Sequence, residues 1–122
     1  MLTFEQLFVC RDVRLTDDKR LSLLDHGYEF GHAVRQLVVF ARVTISHVRG
    51  NLPYELEIQS LDSIQFERHA AKTFVLRIPA DPLVPGLVAA VFPVAGVLIP
   101  GYYQAEIRFA SGEAAITGFR IV

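Results

Sequence analysis

Four histidines, one cysteine and a group of aspartates are the side chains here with the chemistry for a metal or a catalytic centre. His26 and His32 bracket Glu29 in His26-Gly27-Tyr28-Glu29-Phe30-Gly31-His32, while His47 and His69 stand alone further along. A structural zinc ion needs four ligands converging on one point, and a catalytic one needs three. On an extended strand His26, Tyr28, Phe30 and His32 share a face with Glu29 opposite, and the two imidazoles lie ~20 Å apart by rise. Only a bend at Gly27 or Gly31 shortens that distance, so exposed strand-end histidines are expected and no metal ligand is assigned. Cys10 sits among Phe8, Val9 and Val13. That apolar setting raises a thiol's pKa and keeps it inert, the behaviour of a core cysteine rather than of a nucleophile.

Asp12, Asp17, Asp18 and Asp25 gather around the first hairpin, where loop carboxylates would suit calcium. Arg11, Arg14, Lys19 and Arg20 are interleaved with them and oppose a further positive ion, so Asp17-Asp18 reads as a solvated turn. Ser22, Ser46, Ser60, Ser63 and Ser111 include no Gly-x-Ser-x-Gly elbow. Gly50, Gly86, Gly96, Gly101 and Gly112 stand singly rather than in a phosphate-cradling loop. Tyr28, Tyr54, Tyr102 and Phe66 are aromatics on which a sugar or small ligand could stack. These residues assign no catalytic role and no cofactor. The expectation is a non-enzymatic interaction or structural module, with a ligand- or carbohydrate-binding sandwich as the alternative.

The elements that would position these residues are strands. Glu55–Gln59, Lys72–Ile78 and Gln104–Phe109 alternate polar and apolar residues with the period of two expected of half-buried strands. Leu7–Arg14, Arg20–Leu24, Tyr28–Phe30, Leu37–Ser46, Leu87–Phe92 and Ile116–Val122 are further candidates. Only Asp62 to Lys72 has helical periodicity, over a length too short to be stable alone. Turns fall at Thr16–Lys19, Val48–Pro53 and Ala110–Glu113, and Pro79, Pro82 and Pro85 mark a longer connection. About nine short strands in one domain over residues 1–122 predict an all-β fold, an immunoglobulin-like β-sandwich of about 7–9 strands, with a small β-barrel as the alternative. Tyr103, two residues after Gly101 at the head of an alternating strand, has the placement of a tyrosine corner. Two positions on, where antibody domains carry cysteine, stands Ala105, which points to a sandwich without the inter-sheet disulfide.

The opening, Val9-Cys10-Arg11-Asp12-Val13-Arg14 followed by Lys19-Arg20-Leu21-Ser22-Leu23 and Gly27-Tyr28, resembles an uncharacterised family of small bacterial proteins described only as a domain of unknown function. The Pro-rich connection, Gly101-x-Tyr103-x-x-x-Ile107 and the closing Phe119-Arg120-Ile121-Val122 are similar to that family as well, so the resemblance spans nearly the whole chain. Cys10-Arg11-Asp12 departs from the family's Cys-Asp dipeptide. The resemblance implies a β-sandwich of bacterial or phage origin and implies no activity, cofactor or catalytic residue.

Twelve basic and thirteen acidic residues nearly cancel and are scattered, which argues against a nucleic-acid partner. One cysteine cannot form an internal disulfide, and the amino-terminal residues lack the pattern of a secretory signal, so a reducing, cytoplasmic location is expected. Apolar residues make up 52% of the chain and charged ones only 20%, more grease than one small core needs. The surplus concentrates in Pro82 to Ala105, twenty-four residues without a charged side chain. Prolines and glycines interrupt this run too often for a membrane helix. It reads either as a pair of strands buried on both faces or as a surface in which Val94, Val97, Leu98 and Ile99, with the loops at Pro85-Gly86 and Pro93, meet another chain. Self-association into a homo-oligomer, or docking on another protein, follows from the second reading.

Overall fold

Period-two alternation runs through most of the chain, and it becomes ten strands in the computed structural model, which describes residues 2–15, 20–31, 33–45, 50–62, 68–79, 81, 83–95 and 97–122. They are β1 (Leu2–Cys10), β2 (Asp12–Leu15), β3 (Leu21–Leu24), β4 (Glu29–Phe30), β5 (Gln36–Ile45), β6 (Asn51–Ser60), β7 (Arg68–Arg77), β8 (Gly86–Pro93), β9 (Gly101–Phe109) and β10 (Ala114–Ile121). No helix occurs among the described residues.

Two expectations need correcting. The strand read over Leu7–Arg14 divides at Arg11, whose amide donates to the Leu24 carbonyl at 2.9 Å, so β1 ends and β2 begins there. The helical pattern read over Asp62 to Lys72 is overturned from Arg68 onward, where β7 pairs antiparallel with β6 along its whole length. A short 3.6-residue pattern cannot compete with a ready ladder partner.

Eight strands form two facing sheets, β1-β5-β8 and β4-β10-β9-β6-β7, neither closed into a barrel, and β2 and β3 make a separate hairpin. The architecture is a β-sandwich. Taking β1, β5 and β8 as strands A, B and E, the second sheet reads G, F, C and C′ through β10, β9, β6 and β7, the immunoglobulin order. β4 adds to it by pairing parallel with β10. The strand after C stays with C, so among the described residues no strand D covers the far side of β8.

Between the sheets lies the main core. Leu37, Val39, Ala41 and Val43 of β5 and Val88, Ala90 and Phe92 of β8 face Leu56 and Ile58 of β6, Tyr103, Ala105, Ile107 and Phe109 of β9, and Phe119 and Ile121 of β10. Tyr103, buried at the head of β9, donates its hydroxyl to the Ile99 carbonyl at 2.6 Å, four residues upstream. This is the hydrogen bond that gives a tyrosine corner its name, and it pins the crossing from β8 to β9.

Gly86 shows how closely the layers approach. A Cβ added there would lie 2.9 Å from Val43 Cγ2 and 3.2 Å from both Ile45 Cδ1 and Leu76 Cδ2. Gly86→Ala is therefore expected to cost about 1–3 kcal/mol by overpacking. Urea denaturation checks this, and an unchanged midpoint would mean that Leu76 does not reach across to β8.

Candidate functional site

The outer faces of the two sheets differ, and the difference locates the site. On the five-stranded sheet Glu29, Arg120, Tyr102, Gln104, Glu106, Arg108 and Glu55 point outward in cross-strand rows. Arg120 reaches Glu29 at 3.4 Å and lies 5.2 Å over the Tyr102 ring. That face is mainly polar, with Glu57 buried within it and Val75 and Ile116 exposed singly on it.

On the three-stranded sheet the outward positions include Phe8 and Cys10 of β1, Val38, Phe40 and Arg42 of β5, and Leu87, Ala89 and Val91 of β8, joined by the pairs Phe8–Phe40, Cys10–Val38, Phe40–Ala89, Val38–Val91 and Arg42–Leu87, with Arg42 turned to Glu5 of β1. The β2–β3 hairpin covers the first half: Val13 and Leu23 pack on Phe8, Cys10, Val38 and Phe40 as a second apolar cluster. Cys10 is fully buried there, its thiol donating to the Val38 carbonyl at 3.6 Å. Burial, with the nearby Asp12 carboxylate adding to it, pushes that thiol up to about 11. The hairpin stops short of β8, where Leu87 is 43% and Val91 38% exposed. β5 is thus the strand buried on both faces, and β8 is buried on one only.

The uncharged run accordingly divides. Val94 (0% exposed) and Leu98 (6%) belong to the core, the amides of Val97 and Leu98 closing a turn on the Val94 carbonyl. Val97 (39%) and Ile99 (72%) face solvent beyond one end of β8, and Leu83 and Val84 are exposed beyond the other.

The four strands that end the two sheets complete the geometry. An open edge invites pairing with another chain unless it is short, bulged or charged. β4 has two residues. β1 is bulged between Phe4 and Gln6, with Glu5 held to Arg42 at 3.3 Å. β7 carries Lys72, exposed on the side it shares with core residue Leu56, and Arg77 at its end. β8 has none of these protections between Pro85 and Pro93: Gly86-Leu87-Val88-Ala89-Ala90-Val91-Phe92 is uncharged, unbulged and, among the described residues, paired only with β5.

The residues singled out for chemistry are not brought together. Among the described residues no three His, Cys, Asp or Glu side chains lie close enough to hold an ion. Asp12 accepts the Val13 amide at 2.8 Å and holds Arg14 at 3.2 Å, and Asp25 pairs with Arg11 at 3.0 Å. His26 is exposed against the Phe8 ring, and His69 falls within β7. His32, His47, Asp17, Asp18, Ser46, Ser63 and Phe66 lie outside the described residues. Ser22 is in β3, Ser60 is buried at the end of β6, and Ser111 bonds Glu113 in the last turn. Of the stacking candidates Tyr54 is a core residue between Phe74 and Phe109, while Tyr28 and Tyr102 are exposed. An open groove of about 550 Å³ between the hairpin and the lead into β5 is lined by Arg11, Asp12, Arg14 and Arg35, two of these arginines already held by aspartates.

No family model matches this chain. No curated protein matches it either. Among solved structures, the PmoD soluble domain from Methylocystis sp. ATCC 49242 (Rockwell) is similar at a TM-score of 0.44 and 15% identity, over 100% of this chain and 97% of that one. No helix among the described residues is long and apolar enough to cross a membrane.

Proposed function

We propose that this chain is a non-enzymatic assembly module that accepts a β-strand on the free edge of β8. The observation that carries the reading is the contrast among the sheet edges: three are shortened, bulged or charged, and β8 is left long, apolar and open. Strand addition to such an edge takes its affinity from main-chain hydrogen bonds and its selectivity from the alternate side chains. Here those alternate side chains are Leu87, Ala89 and Val91, which ask for an apolar, uncharged strand. The non-enzymatic part of the reading is supported by Asp12, Asp25 and Glu5, which hold arginines and an amide at the surface rather than converging on one point.

A fluorescently labelled peptide carrying residues 86–92 between solubilising lysines is the probe. Its anisotropy should rise saturably with added protein. Leu87→Lys combined with Val91→Lys removes two apolar cross-strand pairs and places charge on the edge, which should weaken binding on the order of tenfold. Equal binding to the double variant, or none up to the solubility limit, would count against β8 as an acceptor.

A further inference from the structure

We infer that the strand this edge accepts is β8 of a second copy, laid antiparallel about a twofold axis at Ala89, so that two three-stranded sheets become one of six. The inference rests on the reading of β8 as a strand acceptor and names its occupant.

The sequence of the edge is symmetric in the features that govern pairing. Pro85 and Pro93 lie four residues either side of Ala89, and a proline has no N–H to give a ladder. Centred on Ala89, the pairing sets each proline opposite the other proline of the partner subunit, so both ladders end together, and between them the alternate residues whose main-chain groups are not turned to β5 face the partner. A register centred elsewhere would either shorten the ladder or place one proline inside it.

The same centre matches the side chains. Leu87 falls opposite the partner's Val91, Ala89 opposite the partner's Ala89, and Gly86 opposite the partner's Phe92, so no two large residues collide and no charge meets another. On the outer face this joins the exposed rows of the two copies into one apolar strip. Antiparallel pairing also brings the end of the edge where Leu83 and Val84 are exposed against the end where the partner's Val97 and the partner's Ile99 are exposed. The absence of charge from Pro82 to Ala105 means that nothing along the seam repels a copy of itself. One short ladder with two apolar flanks belongs to the small class of interfaces, below ~1,200 Å², so the dimer should dissociate on dilution.

Sedimentation velocity over a wide concentration range, combined with engineered thiols, tests both the occupant and the register. Directly opposed strand residues have Cα atoms ~4.5–5.5 Å apart, within disulfide range. Ala89→Cys alone should therefore give a cross-linked dimer under oxidised glutathione. Val91→Cys alone should not, because its own copy is four residues away, ~13 Å along the strand. Mixing Val91→Cys protein with Leu87→Cys protein should restore the cross-link. All three positions are exposed, so folding is not at stake, and Cys10 is buried. Ala89→Lys sets two ammonium groups face to face and should leave only monomer.

A monomer at every concentration that still binds the peptide would overturn self-pairing and leave the acceptor edge standing. A monomer that binds no peptide would overturn both. A dimer that cross-links through Val91→Cys alone would overturn the register.

Discussion

Phe119→Ala is expected to lower the stability of the protein by about 3–5 kcal/mol, the cost of emptying a fully packed aromatic site. Phe119 lies on β10 and is buried; its ring stands 5.6 Å from that of Phe92 on β8 in the opposite sheet and 5.6 Å from that of Tyr103, on which it stacks at 19°. The ring therefore bridges the layers, and its loss leaves a cavity that neither sheet can close without moving as a whole. Against a total of ~5–15 kcal/mol for a domain of this size, this is a large fraction. Tyr103→Phe supplies the internal comparison: it keeps the stacked ring and removes only the hydroxyl bond to the Ile99 carbonyl, for about 1 kcal/mol. Urea denaturation of the two variants should rank them in that order. Equal losses would mean that the corner, rather than the inter-sheet aromatics, holds β8 and β9 in place.

What the sequence made legible was whatever a short stretch decides by itself. The alternation in Glu55–Gln59 and Gln104–Phe109 marks strands with one wet face, and both lie where expected within β6 and β9. Gly101-x-Tyr103 gives a placement that Tyr103 fills with its hydroxyl on the Ile99 carbonyl. The stretches Leu37–Val43 and Leu87–Phe92 look alike on paper, each an apolar run broken by little. They differ in the structure because β2 and β3 lie over β5 and not over β8, a contact that no local pattern encodes. The open edge of β8 was equally hidden. It exists because β7 joins β6 instead of crossing to the other sheet, and that choice concerns residues nine or more positions upstream of β8. Reading Val94 to Ile99 as a block failed to separate the two side chains that turn inward from the two that do not, since a tight turn has no period to follow.

Cys10 offers a measure of how firmly the hairpin covers the outer face of β1 and β5. With its thiol pushed up to about 11, alkylation by iodoacetamide at pH 8 should run on the order of 100-fold slower in the folded protein than in the unfolded chain from thiolate fraction alone, and slower still because the hairpin blocks access. The same shift makes stability depend on pH. The folded state holds the proton more tightly, so the contribution is whole below the ordinary thiol range near 9 and is lost as pH rises through about 11, for roughly 3 kcal/mol. Tyr54, pushed up to about 12 by burial, adds a second loss that begins near 10. Urea midpoints measured from pH 7 to 11 should therefore fall from about pH 9 in the parent protein and only from about pH 10 in Cys10→Ala. Rapid alkylation at pH 8 would mean that the hairpin lifts easily. The outer face would then offer Phe8, Val38 and Phe40 to a partner as well as Leu87 and Val91, and a broad sheet face would replace the narrow edge as the surface to explain.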